Sequence, residues 1–462
     1  MRFAPRNKAS QEIRMFHLLN WQSDGPGALA ALTLYGLALL AFVLPHFRRS
    51  GVLTTLIPLA LAWRVVIWAF YAFWQLPYYM ARTGSDSSWY HSEGMKVAQL
   101  IRDGAWGDIS WGLGTTAMPI ITGVLYAPFG GNIYGMLIFS AVVGFCGGLY
   151  LCRAFSLWAT PAQLKAYSLI VLFLPSFATW TSIFGKDSWI ALGLGLAAYG
   201  YSAMLKGHNT KSLTHLLCGM TIVTVVRPHV AVVVAGSAAL AYVFGLMHKR
   251  SVSILVTVGR ALALIAIFIL IAAVARTFLN MSDVSSDIIQ GFARDRGGRN
   301  VGGGSDVEVN VAPGVAGVLF AFPRALVRIL FEPFPWAVRS LGEGLAAMEN
   351  VLIAILFVTR ATHIREILSG IARNPYGRFS ALLACGLLLM LSLVANLGIL
   401  SRQRCQLLPF LFVVLLARES GKRAMKLRVR RSVSGRTELR EIRSRVAVGV
   451  RLSCSVISPS AE

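Results

Sequence analysis

The residues able to do chemistry in this chain are few and lie far apart in sequence. Asp86 stands in a polar stretch with Trp89, Tyr90, His91 and Glu93. A carboxylate there could act as a general base or as a ligand to a divalent cation, with His91 and Glu93 assisting. An aspartate at a helix start also accepts backbone N–H bonds as a cap, and the two roles are compatible. Lys186 and Asp187 follow Gly185. A phosphate-binding loop is excluded, because Trp180 stands where its first glycine belongs and Asp187 where its Ser or Thr belongs.

Arg227, His229, Arg402 and Arg404 form the third group. Guanidinium groups match phosphate oxygens with paired donors, so arginines at the ends of apolar segments fit a phosphate-bearing ligand. They would equally reach lipid headgroups by snorkelling. Arg64 and Glu349 fall inside long apolar runs, where charge is costly and is usually paired or functional. Mutual pairing of these two would satisfy both.

The elements that must carry these groups are membrane helices. Of 462 residues, 56% are hydrophobic and only 14% charged, against roughly 25% charged in a soluble domain. The apolar residues come in continuous blocks of about 18 to 25, the length that crosses a hydrocarbon core of roughly 30 Å. Continuous rather than alternating runs favour helices over barrel strands. The expected fold is an all-α polytopic bundle of about eleven spans, near 27–45, 52–77, 133–152, 166–184, 188–205, 212–227, 229–247, 253–277, 341–359, 379–399 and 404–418. Segments 116–129 and 315–336 are broken by prolines and read as re-entrant or interfacial. The first apolar run, Gly27 to Leu44, is too long for a cleaved signal core and reads as an anchor.

Residues 1–26 read as a surface segment, 27–418 as the membrane domain, and 419–462 as a basic tail. The net charge of +24 fits basic loops on the cytoplasmic side better than nucleic acid. His46 to Arg49, Lys206 with Lys211, His248 to Arg250, the segment Arg360 to Arg378 and the tail then share the cytoplasmic face. Loops 78–115 and 278–314 and the turns at 186–187, 227–229 and 402–404 face outward. This scheme leaves Arg2, Arg6, Lys8 and Arg14 outside, against the usual bias. Within the first external loop, a helix is expected from Ser85–Ser87 to Asp103, stopping at Gly104. Met95, Ala98 and Ile101 give it an apolar face that could lie on the membrane. The glycine-rich loop 278–314 reads as a disordered loop or a mobile lid. The six cysteines show no Cys-x-x-Cys pair and read as small packing residues.

Several short stretches carry a resemblance. They are Asp86 before an amphipathic helix; Gly114-Thr115 leading to Gly123-Val124-Leu125-Tyr126; Pro175-Ser176 with Trp180 and Gly185 to Ser188; Arg227-Pro228; Pro333 to Trp336 with Glu349-Asn350; and Arg402-Gln403-Arg404 with Pro409-Phe410. Together they resemble the GT-C-type membrane glycosyltransferases and a family of bacterial polysaccharide-biosynthesis membrane proteins of that architecture. The resemblance implies a sugar donor carried on polyprenyl phosphate and a glycan or lipid acceptor. Asp86 would be the catalytic base or metal ligand. Lys186, Arg227, Arg402 and Arg404 would hold the donor phosphate, Asp187 and His229 would orient them, and Glu349 would assist. The rival readings are a polysaccharide polymerase or ligase gripping lipid pyrophosphate, a transporter or flippase, and a structural membrane subunit. A transporter would favour an inverted repeat, and none stands out.

Overall fold

The computed structural model describes residues 25–47, 51–78, 85–207, 210–246, 326–338, 341–392 and 397–416, with three isolated positions besides. Among these the regular structure is helical throughout. The helices are α1 (Pro26–Val43), α2 (Gly51–Phe70), α3 (Asp86–Arg102), α4 (Ala117–Tyr126), α5 (Ile133–Ser156), α6 (Pro161–Phe173) and α7 (Pro175–Trp180). There follow α8 (Lys186–Met204), α9 (Thr210–Val226), α10 (Pro228–Leu246), α11 (Leu341–Ala361), α12 (Ile364–Arg373), α13 (Pro375–Ser392) and α14 (Leu397–Leu416).

Seven of these helices are long and apolar enough to cross a membrane: α1, α2, α5, α10, α11, α13 and α14. The chain is therefore a helical membrane protein with seven candidate spans among the described residues, and four further segments of the expected eleven are not among these seven. The expected span at 166–184 is broken between α6 and α7, because Pro175 cannot continue the helix and Leu174 before it turns to ψ 120°. The segment at 188–205 is α8, and that at 212–227 is α9, an apolar helix of 17 residues. The segments 278–314 and 419–462 lie outside the described residues, as do 1–24 and, apart from Val258 and Ile269, 253–277.

α8 is the centre of the bundle, packed along α5 on one side and α9 on the other. Glycines set the spacing. A Cβ on Gly147 of α5 would come within 2.3–2.5 Å of the Ala191–Leu192 backbone, and one on Gly195 within 2.4 Å of the Gly147 carbonyl oxygen. Gly219 of α9 lies as close to Ala197. Small residues at such contacts let helix backbones touch, which is how membrane helices gain packing energy without a hydrophobic drive. α8 is surrounded by protein rather than lipid, so small and hydroxylated residues replace leucines and its hydropathy falls.

The expected helix of the first external loop is α3. Ser85 caps it by accepting the Ser88 N–H at 3.1 Å, and Gly104 ends it at φ +72°. The capping residue is thus Ser85, and Asp86 is the first helical residue. Its apolar side meets protein: Gly94 and Ala98 are buried, and α3 packs along α4. The segment expected to be re-entrant or interfacial at 116–129 forms this partner, a ten-residue helix with Pro119 in its first turn. Of the companion segment 315–336, the described part is a helical turn at 326–331 and a 3-10 turn at Pro335–Ala337.

Candidate functional site

Asp187 is the second residue of α8 and only 2% exposed. A buried carboxylate survives only if paired, and two arginines from distant helices meet it. Arg227, at the junction of α9 and α10, donates from Nη2 to Asp187 Oδ1 at 2.7 Å. Arg402, in the second turn of α14, donates from Nε to Asp187 Oδ2. The same guanidinium reaches outward, and its Nη1 donates to Asp86 Oδ2 at 2.6 Å. Asp86 lies at the rim, its side chain 61% exposed, whereas Arg402 is 21% exposed. Three helices and one junction are thereby tied through three hydrogen bonds at one end of the bundle.

Local structure places each member. Ser87 donates to the Phe184 carbonyl at 2.7 Å, pinning the first turn of α3 onto the turn that precedes Lys186. Tyr71, in a π-helical turn that widens the end of α2, lies 3.4 Å from the Ser87 hydroxyl. Gly185 admits the Arg402 fork, since a Cβ there would lie 3.0 Å from Nη2. Gly114, at φ +74°, donates its N–H to the Val225 carbonyl at 2.8 Å and ties the loop before α4 to the last turn of α9. That tie brings Thr115 under Lys186, whose Nζ donates to Thr115 Oγ1 at 2.7 Å.

Three cations, Lys186, Arg227 and Arg402, face two carboxylates, so the cluster carries a surplus of positive charge. Arg227 Nη1 is buried and finds no acceptor among the described residues. Burial would raise the Asp187 carboxyl, but Arg227 and Arg402 outweigh it and hold it below the ordinary value. Burial, with Arg227 and Arg402 close by, brings the Lys186 ammonium down to about 8. Such an arrangement favours an anionic guest with oxygen acceptors.

The remaining candidates are distributed differently. Arg404 is 1% exposed and belongs to a second cluster, donating to Asn350 Oδ1 at 2.6 Å and to Glu349 Oε1 at 3.0 Å. Glu349 accepts the Ser176 N–H at 2.6 Å, and Asn350 donates to the carbonyls of Phe331 and Pro333 at 3.0 and 3.1 Å. The expected pairing of Arg64 with Glu349 is replaced by this Arg404 pair. Arg64 Nη1 instead donates to Ala178 O, Thr181 Oγ1 and Ser182 Oγ at 3.1, 2.5 and 2.9 Å. The Arg64 guanidinium also sits 5.6 Å from the Phe177 ring centre. His91 contacts the Tyr126 hydroxyl at 3.0 Å, and Glu93 pairs with Lys96 at 2.7 Å on the outer face of α3. His229 is half-buried in the first turn of α10, two residues after Arg227.

Two participants went unread in the sequence. Tyr90, buried, lies four residues after Asp86 on one face of α3; burial and then the Asp86 charge push its hydroxyl up, with Arg402 and Arg227 within reach. The i, i+4 spacing was the available signal. Thr115 offered none beyond the glycine before it. Among the described residues no three His, Cys, Asp or Glu side chains converge as a metal cage requires. Asp86 and Asp187 are both engaged by Arg402, so the donor set present does not fit a divalent cation. Comparison with known proteins found no matching family model, no matching curated protein and no matching solved structure.

Proposed function

We propose that this protein is a membrane glycosyltransferase of GT-C-like type. It takes a sugar from a polyprenyl-phosphate-linked donor on the external face and passes it to a glycan or lipid acceptor in cell-surface polysaccharide assembly. The cytoplasmic membrane would house it, with the C-terminus inside. The observation that carries this reading is the surplus of positive charge around buried Asp187, with a carboxylate, Asp86, at its rim.

In this mechanism Lys186, Arg402 and the Nη1 of Arg227 grip the donor phosphate. Asp187 holds both arginines in place. Asp86 accepts the proton of the acceptor hydroxyl as that oxygen bonds the anomeric carbon. The bond from that carbon to the phosphate oxygen breaks, and polyprenyl phosphate leaves with the electron pair. The cations stabilise its growing charge. No step requires a metal.

The test is transfer from a radiolabelled glycosyl-phosphoryl-polyprenol in membranes containing the protein. Asp86→Asn should lower kcat by about 10²–10⁴, the range for loss of a general base, while donor binding persists. Full activity in that variant would remove the mechanism.

A further inference from the structure

α12 presents a wider apolar arc than the protein covers. At ~100° per residue, Ile364, Ile367, Leu368 and Ile371 fall in one arc, with Gly370 at its edge. Arg365, Glu366, Ser369 and Arg373 occupy the other. Ile367 and Gly370 are buried where α12 packs on α13 and touches α14. Ile364 and Leu368 complete the apolar arc and are 52% and 58% exposed.

What faces them follows from the connections. α12 is joined through Thr362 and His363 to α11, and through Asn374 to α13, and both of those helices are of span length. Asn374 leaves the helical conformation, at φ −96° and ψ 111°, so α12 is a separate element rather than an extension of α13. A helix tethered between the same ends of two spans lies at the level of the bilayer surface. This is the end of α14 opposite to Arg402, so α12 is remote from the Asp187 cluster. Two arginines border it: Arg360 ends α11, and Arg365 is exposed at the margin of the apolar arc; the carboxylate of α12, Glu366, lies on the opposite arc, 3.5 Å from the His363 ring.

We infer that α12 is an interfacial lipid-binding helix. Ile364 and Leu368 enter the acyl region, and Arg360 with Arg365 meets the headgroups of anionic phospholipid. An amphipathic helix with arginine beside its apolar face binds in this way, by buried area plus attraction to negative headgroups. The inference is independent of the proposed transfer reaction.

The test uses the full chain in lipid nanodiscs. Spin labels at Leu368→Cys and Arg373→Cys, with Cys218, Cys385 and Cys454 replaced by serine, report depth through collisions with oxygen and with a nickel chelate. Position 368 should favour oxygen and position 373 the chelate. A preference for the chelate at 368 overturns insertion, and so does shielding from both reagents, which would mean that protein covers it. In parallel, native mass spectrometry counts retained phosphatidylglycerol against phosphatidylcholine. Arg360→Gln and Arg365→Gln should each cut the preference for phosphatidylglycerol by about fivefold. An unchanged preference overturns the headgroup contact.

Discussion

Asp187 holds the cluster together because it is the buried partner of two arginines. Replacing it with asparagine leaves two guanidinium groups facing an amide. Breaking a buried pair costs about 3–5 kcal/mol, so Asp187→Asn should lower the thermal midpoint sharply in detergent, as followed by tryptophan fluorescence. Asp86→Asn at the exposed rim should leave that midpoint nearly unchanged. Equal losses from both variants would contradict this division between a structural and a peripheral carboxylate. Lys186 gives the site a pH dependence. Below about 8 its ammonium is charged and attracts phosphate; above that it is neutral and the attraction fades. Affinity for a short polyprenyl phosphate should therefore fall as pH rises through 8, with the midpoint moved upward by a bound anion. Lys186→Arg should remove the fall. An identical profile in that variant would assign the titration elsewhere. At this scale the sequence showed which side chains were unusual but not their partners. Arg402 and Arg404 were both assigned to phosphate, yet residues two apart on a helix lie ~200° apart and face different neighbours. Glu349 and Arg64 looked like a natural pair by depth alone. Which helices are adjacent decides pairing, and apolar patterning does not encode adjacency.

Among elements, α3 was the most legible, because a serine cap and a glycine stop are local signals that need no tertiary context. α8 matches the expected segment 188–205, but its place at the centre was not legible, because its small residues answer to neighbouring backbones that the sequence does not show. Two predictions belong here. Gly147→Val should destabilise the α5–α8 contact by about 1–3 kcal/mol or more, since the clash is with backbone and not with a yielding side chain. Loss of monodisperse protein on size exclusion would register it, and normal behaviour would show that the helices can separate. Ser87→Ala removes the bond to Phe184 O and should cost about 1 kcal/mol. Its effect on sugar transfer should exceed its effect on stability, because it frees the first turn that positions Asp86.

For the whole molecule, the decisive expectation concerned compartments. Positive loops placed residues 86, 186, 227 and 402 on one side and the segment 360–378 on the other. In the fold Asp86, Asp187, Arg227 and Arg402 share one cluster, and α12 is attached at the opposite end of α14. Cysteine labelling with an impermeant reagent should therefore modify Asp86→Cys from one side of sealed vesicles and Arg365→Cys only from the other. Labelling of both from one side would break the topology. The existence of apolar helices was more legible than their continuity, because Pro175 divides one apolar run into two helices.

The Arg402 guanidinium touches two carboxylates at once, one deep and one at the rim. A phosphate that takes the Arg402 Nη1 contends with Asp86 for that donor. Occupancy and the anchoring of α3 are then rivals: as ligand saturates the protein, the amides of that helix's opening turn should exchange with deuterium faster. Binding would thus be readable as local loosening rather than the tightening usually expected of a filled site.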